Sequence, residues 1–260
     1  MQPSPPIEKT SPGKRGAASH LKRQASENQM QSPVIVALDF ESAAEALDLV
    51  HRLGPASDHY KVGLQLLTEA GPDLIRSLEA IGKHVFLDLK LHEIPASVAG
   101  GVKAAGKLGA SMVTVHASGG SAVLRAATAA AAPFPKLRVL ALTVITSLAD
   151  QDLPEIGLAP SVLDQVKRLA LLAASCGCHG VVASAHEATV LRSLLPVGSL
   201  IVTPGVQLVE AASADHARIA TPRMAAQAGA THVVVGRAVT AAADPVAAFG
   251  MAVASFRHDA

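Results

Sequence analysis

Eight short, β-branched apolar runs recur along the chain, and each is followed by a stretch with helical spacing. The runs are PVIVALD (33–39), HYKVG (59–63), HVFLDLK (84–90), SMVTVH (111–116), LRVLALTVI (137–145), HGVVAS (179–184), SLIVTPG (199–205) and THVVVG (231–236). Between them, Ser42 and Glu45 form a capping box that opens a helix through about Leu53. A second helix spans Leu64 to Leu78 with an interruption at Gly71-Pro72, and a third runs from Ser97 to Leu108. Further helical stretches fall near 121–131, 161–175, 186–194, 222–229 and 244–255. Strict alternation of strand and helix implies a parallel sheet. Near-continuous apolar strands imply burial on both faces. Eight units in about 230 residues fit a closed (β/α)8 TIM barrel better than an open doubly wound sheet.

Half of the 260 residues are hydrophobic, yet no apolar run reaches the ~18 residues of a membrane span. A net charge of +1 without a basic stripe argues against nucleic acid as a partner. Cys176 and Cys178 are too close together to staple a fold, and no second ligand pair turns them and His179 into a metal site. They read as small packing residues, and no metal is expected. Residues 1–32 are rich in Pro, Ser, Lys and Gln and read as a disordered tail, so the barrel is expected over 33–260. Met30 offers an alternative start just before the first strand. No signal-peptide pattern opens the chain, and the expected location is cytoplasmic.

Barrels of this kind place chemistry at the C-terminal strand ends. There the sequence puts Asp39 after the first strand, Lys61 at the end of the second, and Asp88 and Lys90 on the third. Residues two apart on a strand share a face, so Asp88 and Lys90 are expected to point together into the barrel mouth. His116 closes the fourth strand and is read as a rim residue without a catalytic role. A second half-site lies opposite. Residues 203–222 make a long loop after the seventh strand, and Gly236-Arg237 ends the eighth. Glycine admits an anion close to the backbone and arginine grips it through paired hydrogen bonds, an address at which barrels often hold phosphate. Together these residues describe a phosphate-bearing ligand whose reacting end lies against Lys61, Asp88 and Lys90. Cofactor-free lysine chemistry follows: proton transfer, Schiff-base formation, or decarboxylation with lysine as the acid.

Seven segments in order, VALDF, YKVGLQL, FLDLKLHEIP, VHASGG, LTVITSL, TPG and VVVGRAVT, make the chain resemble the orotidine 5′-phosphate decarboxylases over residues 33–257. The resemblance implies conversion of orotidine 5′-monophosphate to UMP and carbon dioxide in pyrimidine biosynthesis, without a cofactor. It also implies a homodimer with a shared active site. In the family a Lys-Asp-Lys-Asp array surrounds the scissile carboxylate, with its last aspartate supplied by the neighbouring subunit. Lys61, Asp88 and Lys90 match the first three members, and Glu93 stands in the place of the last. By the same resemblance Lys90 protonates C6, while Asp39 and Lys61 bind the ribose hydroxyls. Thr146 and Ser147 meet the pyrimidine edge, and Ser97 keeps a hydroxyl where the family has threonine. Pro204, Gln207, His216, Gly236 and Arg237 fall on the phosphate side. Besides Ser97, three positions depart from the family pattern: Glu93 replaces aspartate, Gln207 an arginine and His216 a glutamine. These motivate an alternative, a diverged nucleotide-binding homologue with little or no turnover. A metal-dependent keto-sugar-phosphate decarboxylase is a third reading, opposed by the lack of an acid beside Lys61.

Overall fold

The computed structural model describes residues 32–208 and 220–257. Apart from Ser32, whose Oγ accepts the Val34 N–H at 3.2 Å, the expected N-terminal tail lies outside that range. Eight strands are present: β1 (Val34–Ala37), β2 (His59–Gly63), β3 (His84–Leu91), β4 (Met112–His116), β5 (Arg138–Leu142), β6 (Gly180–Val182), β7 (Leu200–Val206) and β8 (His232–Val235). All neighbours are parallel and follow chain order, and β8 closes on β1. The closed (β/α)8 barrel expected from the alternation is the fold observed.

The helices are α1 (Ala43–Leu53), α2 (Leu64–Ala70), α3 (Asp73–Ala80), α4 (Pro95–Lys107), α5 (Gly120–Ala131), α6 (Val162–Ser175), α7 (Ala185–Leu194), α8 (Pro222–Gln227), α9 (Arg237–Thr240) and α10 (Pro245–Arg257). Ser42 caps α1: its hydroxyl accepts the Glu45 N–H and donates to Glu45 Oε2 at 2.9 Å. The interruption at Gly71-Pro72 separates α2 from α3, with Gly71 at φ 65°. Four elements escaped the sequence reading, the 3-10 segments Gly54–Ala56, Ala117–Gly119 and Asp150–Ile156 and the single turn α9. All are too short to display a helical period.

Alternation along the strands divides the core into two shells. Ile35, Phe86, Met112, Leu140, Val182, Val202 and Val234 fill the barrel interior. Their sequence neighbours, such as Val34, Val36, Tyr60, Val62, Val85, Leu87, Val113 and Val115, face outward against the helices. Burial on both sides is why these strands read as unbroken apolar runs. Cys176 is buried and Cys178 half-buried; burial, reinforced by Cys176, pushes the Cys178 thiol up to about 12. A thiol held neutral in this way is a packing group and no nucleophile.

One close contact between helices gives a stability test. A Cβ on Gly106 of α4 would lie 2.4 Å from the Phe134 ring, just beyond α5. Gly106→Ala gains about 1 kcal/mol of helix propensity but overpacks the contact by about 1–3 kcal/mol. The net expectation is a melting temperature lowered by a few degrees, read by circular dichroism.

Candidate active site

The barrel's inner face changes character two residues above its apolar layer. Beyond Ala37 comes Asp39, beyond Phe86 comes Asp88, and beyond Met112 comes Thr114. Lys61 points inward from β2, since Tyr60 and Val62 on either side of it belong to the outer shell; its backbone pairs with Ala37 and Phe86, and its side chain reaches Asp39. The mouth is thus lined by polar side chains on consecutive strands. Lys61 Nζ lies 2.8 Å from Asp39 Oδ1, with the lysine side chain 12 % exposed and the aspartate 61 %. Gly63 sits close by: a Cβ there would be 3.4 Å from Lys61 Nζ.

The third strand carries the second pair in an unexpected way. Asp88 and Lys90 do converge, with Lys90 Nζ 2.8 Å from Asp88 Oδ2, but simple alternation does not bring them together. Leu87 pairs with Val113 and Leu91 with Val115, so four steps on β3 span two on β4. Within this bulge Lys90 takes φ 49°, the one positive φ of a non-glycine among the described residues. Such a backbone costs of order 1–3 kcal/mol and persists only where its surroundings enforce it. Thr114 on β4, fully buried, does this: it accepts the Lys90 N–H at 2.8 Å and donates to Asp88 Oδ1 at 2.9 Å. The sequence reading missed Thr114. Its signal was a hydroxyl in phase with the inward face of an otherwise apolar run.

Past β3 the chain turns outward. Glu93 is exposed, and its Oε1 accepts the Ile94 N–H at 2.8 Å. A recess of about 360 Å³ brings Lys90, His92, Glu93 and Ser97 together with Leu89, Leu91 and Val98. The His92 and His116 rings lie 4.9 Å apart, and Ser118 Oγ is 2.5 Å from His116 Nδ1 and 3.4 Å from His92 Nε2. Burial, with His92 and Lys90 as like-signed neighbours, lowers the His116 pKa and keeps its ring neutral near pH 7.

The remaining expected residues that the structure describes also lie at or just beyond C-terminal strand ends. Thr146 is half-buried and Ser147 exposed, in the loop after β5. Pro204 lies in β7, whose pairing with β8 shifts register between Thr203 and Val206, a second bulge at the mouth. The Gln207 N–H donates to the Ala220 carbonyl at 3.0 Å and ties the base of the long loop. His216 lies outside the described residues. Gly236 caps α9, Arg237 is its first, exposed residue, and β8 brings both beside β1. Gly236, Asp39, Lys61, Asp88 and Thr114 therefore occupy five successive staves, about 4.8 Å apart.

Two lysines and two aspartates on adjoining strands sum to zero charge, so the walls of the mouth hold their ammonium groups without an exogenous anion. Among the described residues, no three His, Cys, Asp or Glu side chains gather as a metal site. An ammonium locked to a carboxylate in a half-buried cleft is equipped to deliver a proton to a carbon that gains negative charge.

Comparisons with known proteins agree with this fold. Residues 32–252 match the family described as "Orotidine 5'-phosphate decarboxylase / HUMPS family". An orotidine 5'-phosphate decarboxylase from Sodalis glossinidius (strain morsitans) is 46 % identical over 226 residues, 85 % of this chain and 89 % of the other. One from Chromobacterium violaceum is 46 % identical over 223 residues, covering 85 % and 90 % of the two chains. Among solved structures, the orotidine 5'-phosphate decarboxylase from Lactobacillus acidophilus superposes with TM-score 0.78 at 36 % identity, covering 87 % of this chain and all of that one. The match runs from the first strand into the last helix, and the chain belongs to the orotidine 5'-phosphate decarboxylase / HUMPS family.

Proposed function

We propose that the chain is a carboxy-lyase that converts orotidine 5′-monophosphate to UMP and carbon dioxide without a cofactor, in pyrimidine biosynthesis. The observation that carries this reading is the Lys90–Asp88 pair at 2.8 Å beside the Lys61–Asp39 pair at 2.8 Å. It lies in a chain 46 % identical to relatives named for that reaction. The family description joins two names, and the relatives named for the decarboxylase support that member of the pair.

In the proposed reaction the bond from C6 to the carboxylate carbon breaks and its electron pair stays on C6. Lys90 Nζ gives that carbon a proton, and the resulting amine recovers one from solvent. Before proton transfer the ammonium stabilises the developing carbanion, a contact stronger in the transition state than in the ground state. Asp88 lies near the substrate carboxylate and orients Lys90. Asp39 and Lys61 take the ribose hydroxyls, Thr146 and Ser147 the pyrimidine edge, and Ser97 a further polar contact. Pro204, Gln207, His216, Gly236 and Arg237 form the phosphate side. In a homodimer with a shared site, Glu93 of each chain reaches the neighbour's array; its exposure, next to an Ile94 that is 61 % exposed, supports that placement. The cytoplasm is the proposed location, and no helix among the described residues is long and apolar enough to cross a membrane.

An absorbance assay following loss of orotidine 5′-monophosphate tests this reading. Turnover is expected to persist in EDTA; turnover lost in EDTA would select a metal-dependent reaction. No turnover alongside UMP binding would select the nucleotide-binding homologue. In the same assay Glu93→Asp is expected to raise kcat by about 10- to 100-fold, because a carboxylate displaced by about 1 Å can cost that much.

A further inference from the structure

The decarboxylase reading assigns roles to Lys90 and Asp88 and says nothing of how they are held. The bulge in β3 removes Lys90 from regular pairing with β4, since the ladder passes directly from Leu87–Val113 to Leu91–Val115. The Lys90 N–H therefore needs another acceptor, and it finds the Thr114 side chain at 2.8 Å. A hydroxyl has one proton to give. Here it goes to Asp88 Oδ1 at 2.9 Å, while Asp88 Oδ2 receives Lys90 Nζ at 2.8 Å. The circuit closes on itself: backbone of Lys90, hydroxyl of Thr114, carboxylate of Asp88, ammonium of Lys90. Because Thr114 is fully buried, water has no access to replace it.

We propose that Thr114 is a positioning residue for the decarboxylation. Its hydroxyl fixes the left-handed backbone of Lys90 and the carboxylate plane of Asp88 in a single contact. The proposal rests on the decarboxylase reading for its kinetic consequence, but the clamp itself is independent of that reading. Valine has threonine's shape without the hydroxyl, so Thr114→Val leaves the Lys90 N–H and Asp88 Oδ1 without their partner at little steric cost. Thr114→Ser keeps both hydrogen bonds.

Kinetics and amide hydrogen exchange of the two variants test the clamp. Thr114→Val is expected to lower kcat for orotidine 5′-monophosphate by about 100-fold with KM changed by less than about threefold, because a sub-ångström drift of the reacting lysine affects the chemical step and not ground-state binding. Thr114→Ser is expected to stay within about fivefold of the unmodified protein, a rescue that a mere packing role would not produce. Exchange of the Lys90 amide should accelerate at least about tenfold in Thr114→Val relative to Thr114→Ser, as expected when a local hydrogen bond is lost. Equal kcat losses in both variants, or an unchanged Lys90 exchange rate in Thr114→Val, would overturn the proposal. If Thr114→Val does not fold, Thr114→Ser decides: activity near the unmodified level upholds the clamp, and a 100-fold loss overturns it. An unmodified protein that releases no carbon dioxide overturns the decarboxylase reading, and the exchange comparison then upholds or overturns the clamp on its own.

Discussion

Lys90→Ala is expected to lower kcat for orotidine 5′-monophosphate by at least about 10⁴-fold, since it removes both a positioned acid and a preorganised cation. UMP binding should fall by no more than about tenfold, because the proposed phosphate and ribose contacts lie on other strands. The barrel should survive. Lys90 is 38 % exposed and contributes nothing to either hydrophobic shell, while Asp88 keeps its bond from Thr114. Two smaller costs remain: Asp88 loses its ionic partner, and alanine inherits φ 49°. Lys90→Gly separates them, because glycine adopts that φ without penalty. It should be equally inactive yet about 1 kcal/mol more stable than Lys90→Ala, a difference visible in urea unfolding. Turnover near the unmodified rate in either variant would remove lysine acid catalysis from the mechanism.

Acid is expected to destabilise the barrel well before its carboxylates titrate, through histidines at the opposite end from the mouth. His59 and His84 open β2 and β3 and stack at 4.6 Å, and His59 Nδ1 is 2.8 Å from Asp58 Oδ1. His232 opens β8; burial, with His59 second, lowers its pKa from the usual 6.5 to about 4. Burial and then His59 lower His84 as well, against a smaller opposing pull from Asp58. His179 is lowered by burial and then by Arg138, against a smaller opposing pull from the backbone of Val139. The sign is the same for all three. The unfolded chain binds their protons below about pH 6.5 and the folded chain resists them, so the stability they provide is complete above pH 6.5 and lost as pH falls. For His232 the window runs from about 6.5 to about 4, and the loss approaches about 3 kcal/mol. Burial raises the Asp58 carboxyl, but the hydrogen bond and field of His59 outweigh it; its lowered pKa extends the same trend below that window. Urea melts between pH 7.5 and 4.5 should show stability falling steeply below 6.5. His232→Gln should flatten that slope, and an unchanged slope would exclude His232 as its source.

The barrel was legible because its evidence is periodic. Each strand is apolar on both faces, each helix has a striped face, and the count of eight closes the ring. The charged mouth was legible for a different reason: Asp39, Lys61, Asp88 and Lys90 stand in or at the ends of apolar runs, where burying an unmatched charge is costly. What stayed hidden depends on registry between strands. Nothing in FLDLKLHEIP announces that Lys90 leaves the ladder in a left-handed backbone, and a threonine in MVTVH reads as an ordinary strand residue. Segments of four to seven residues, such as Arg237–Thr240 and Asp150–Ile156, offered too few positions for any repeat to emerge.

A ring of strands has no free margin, so the separation between the two lysine–aspartate couples is set at a single seam between neighbouring staves. Main-chain hydrogen bonding fixes that gap, and no loop substitution can widen it. Under the proposed reading, exchanges at 93, 207 and 216 would alter what is grasped at the rim while the interval between the ammonium groups stays constant. Descendants of such a molecule are thus free to vary their reach before they forfeit their chemistry, and heat should extinguish catalysis only when the hoop itself comes apart.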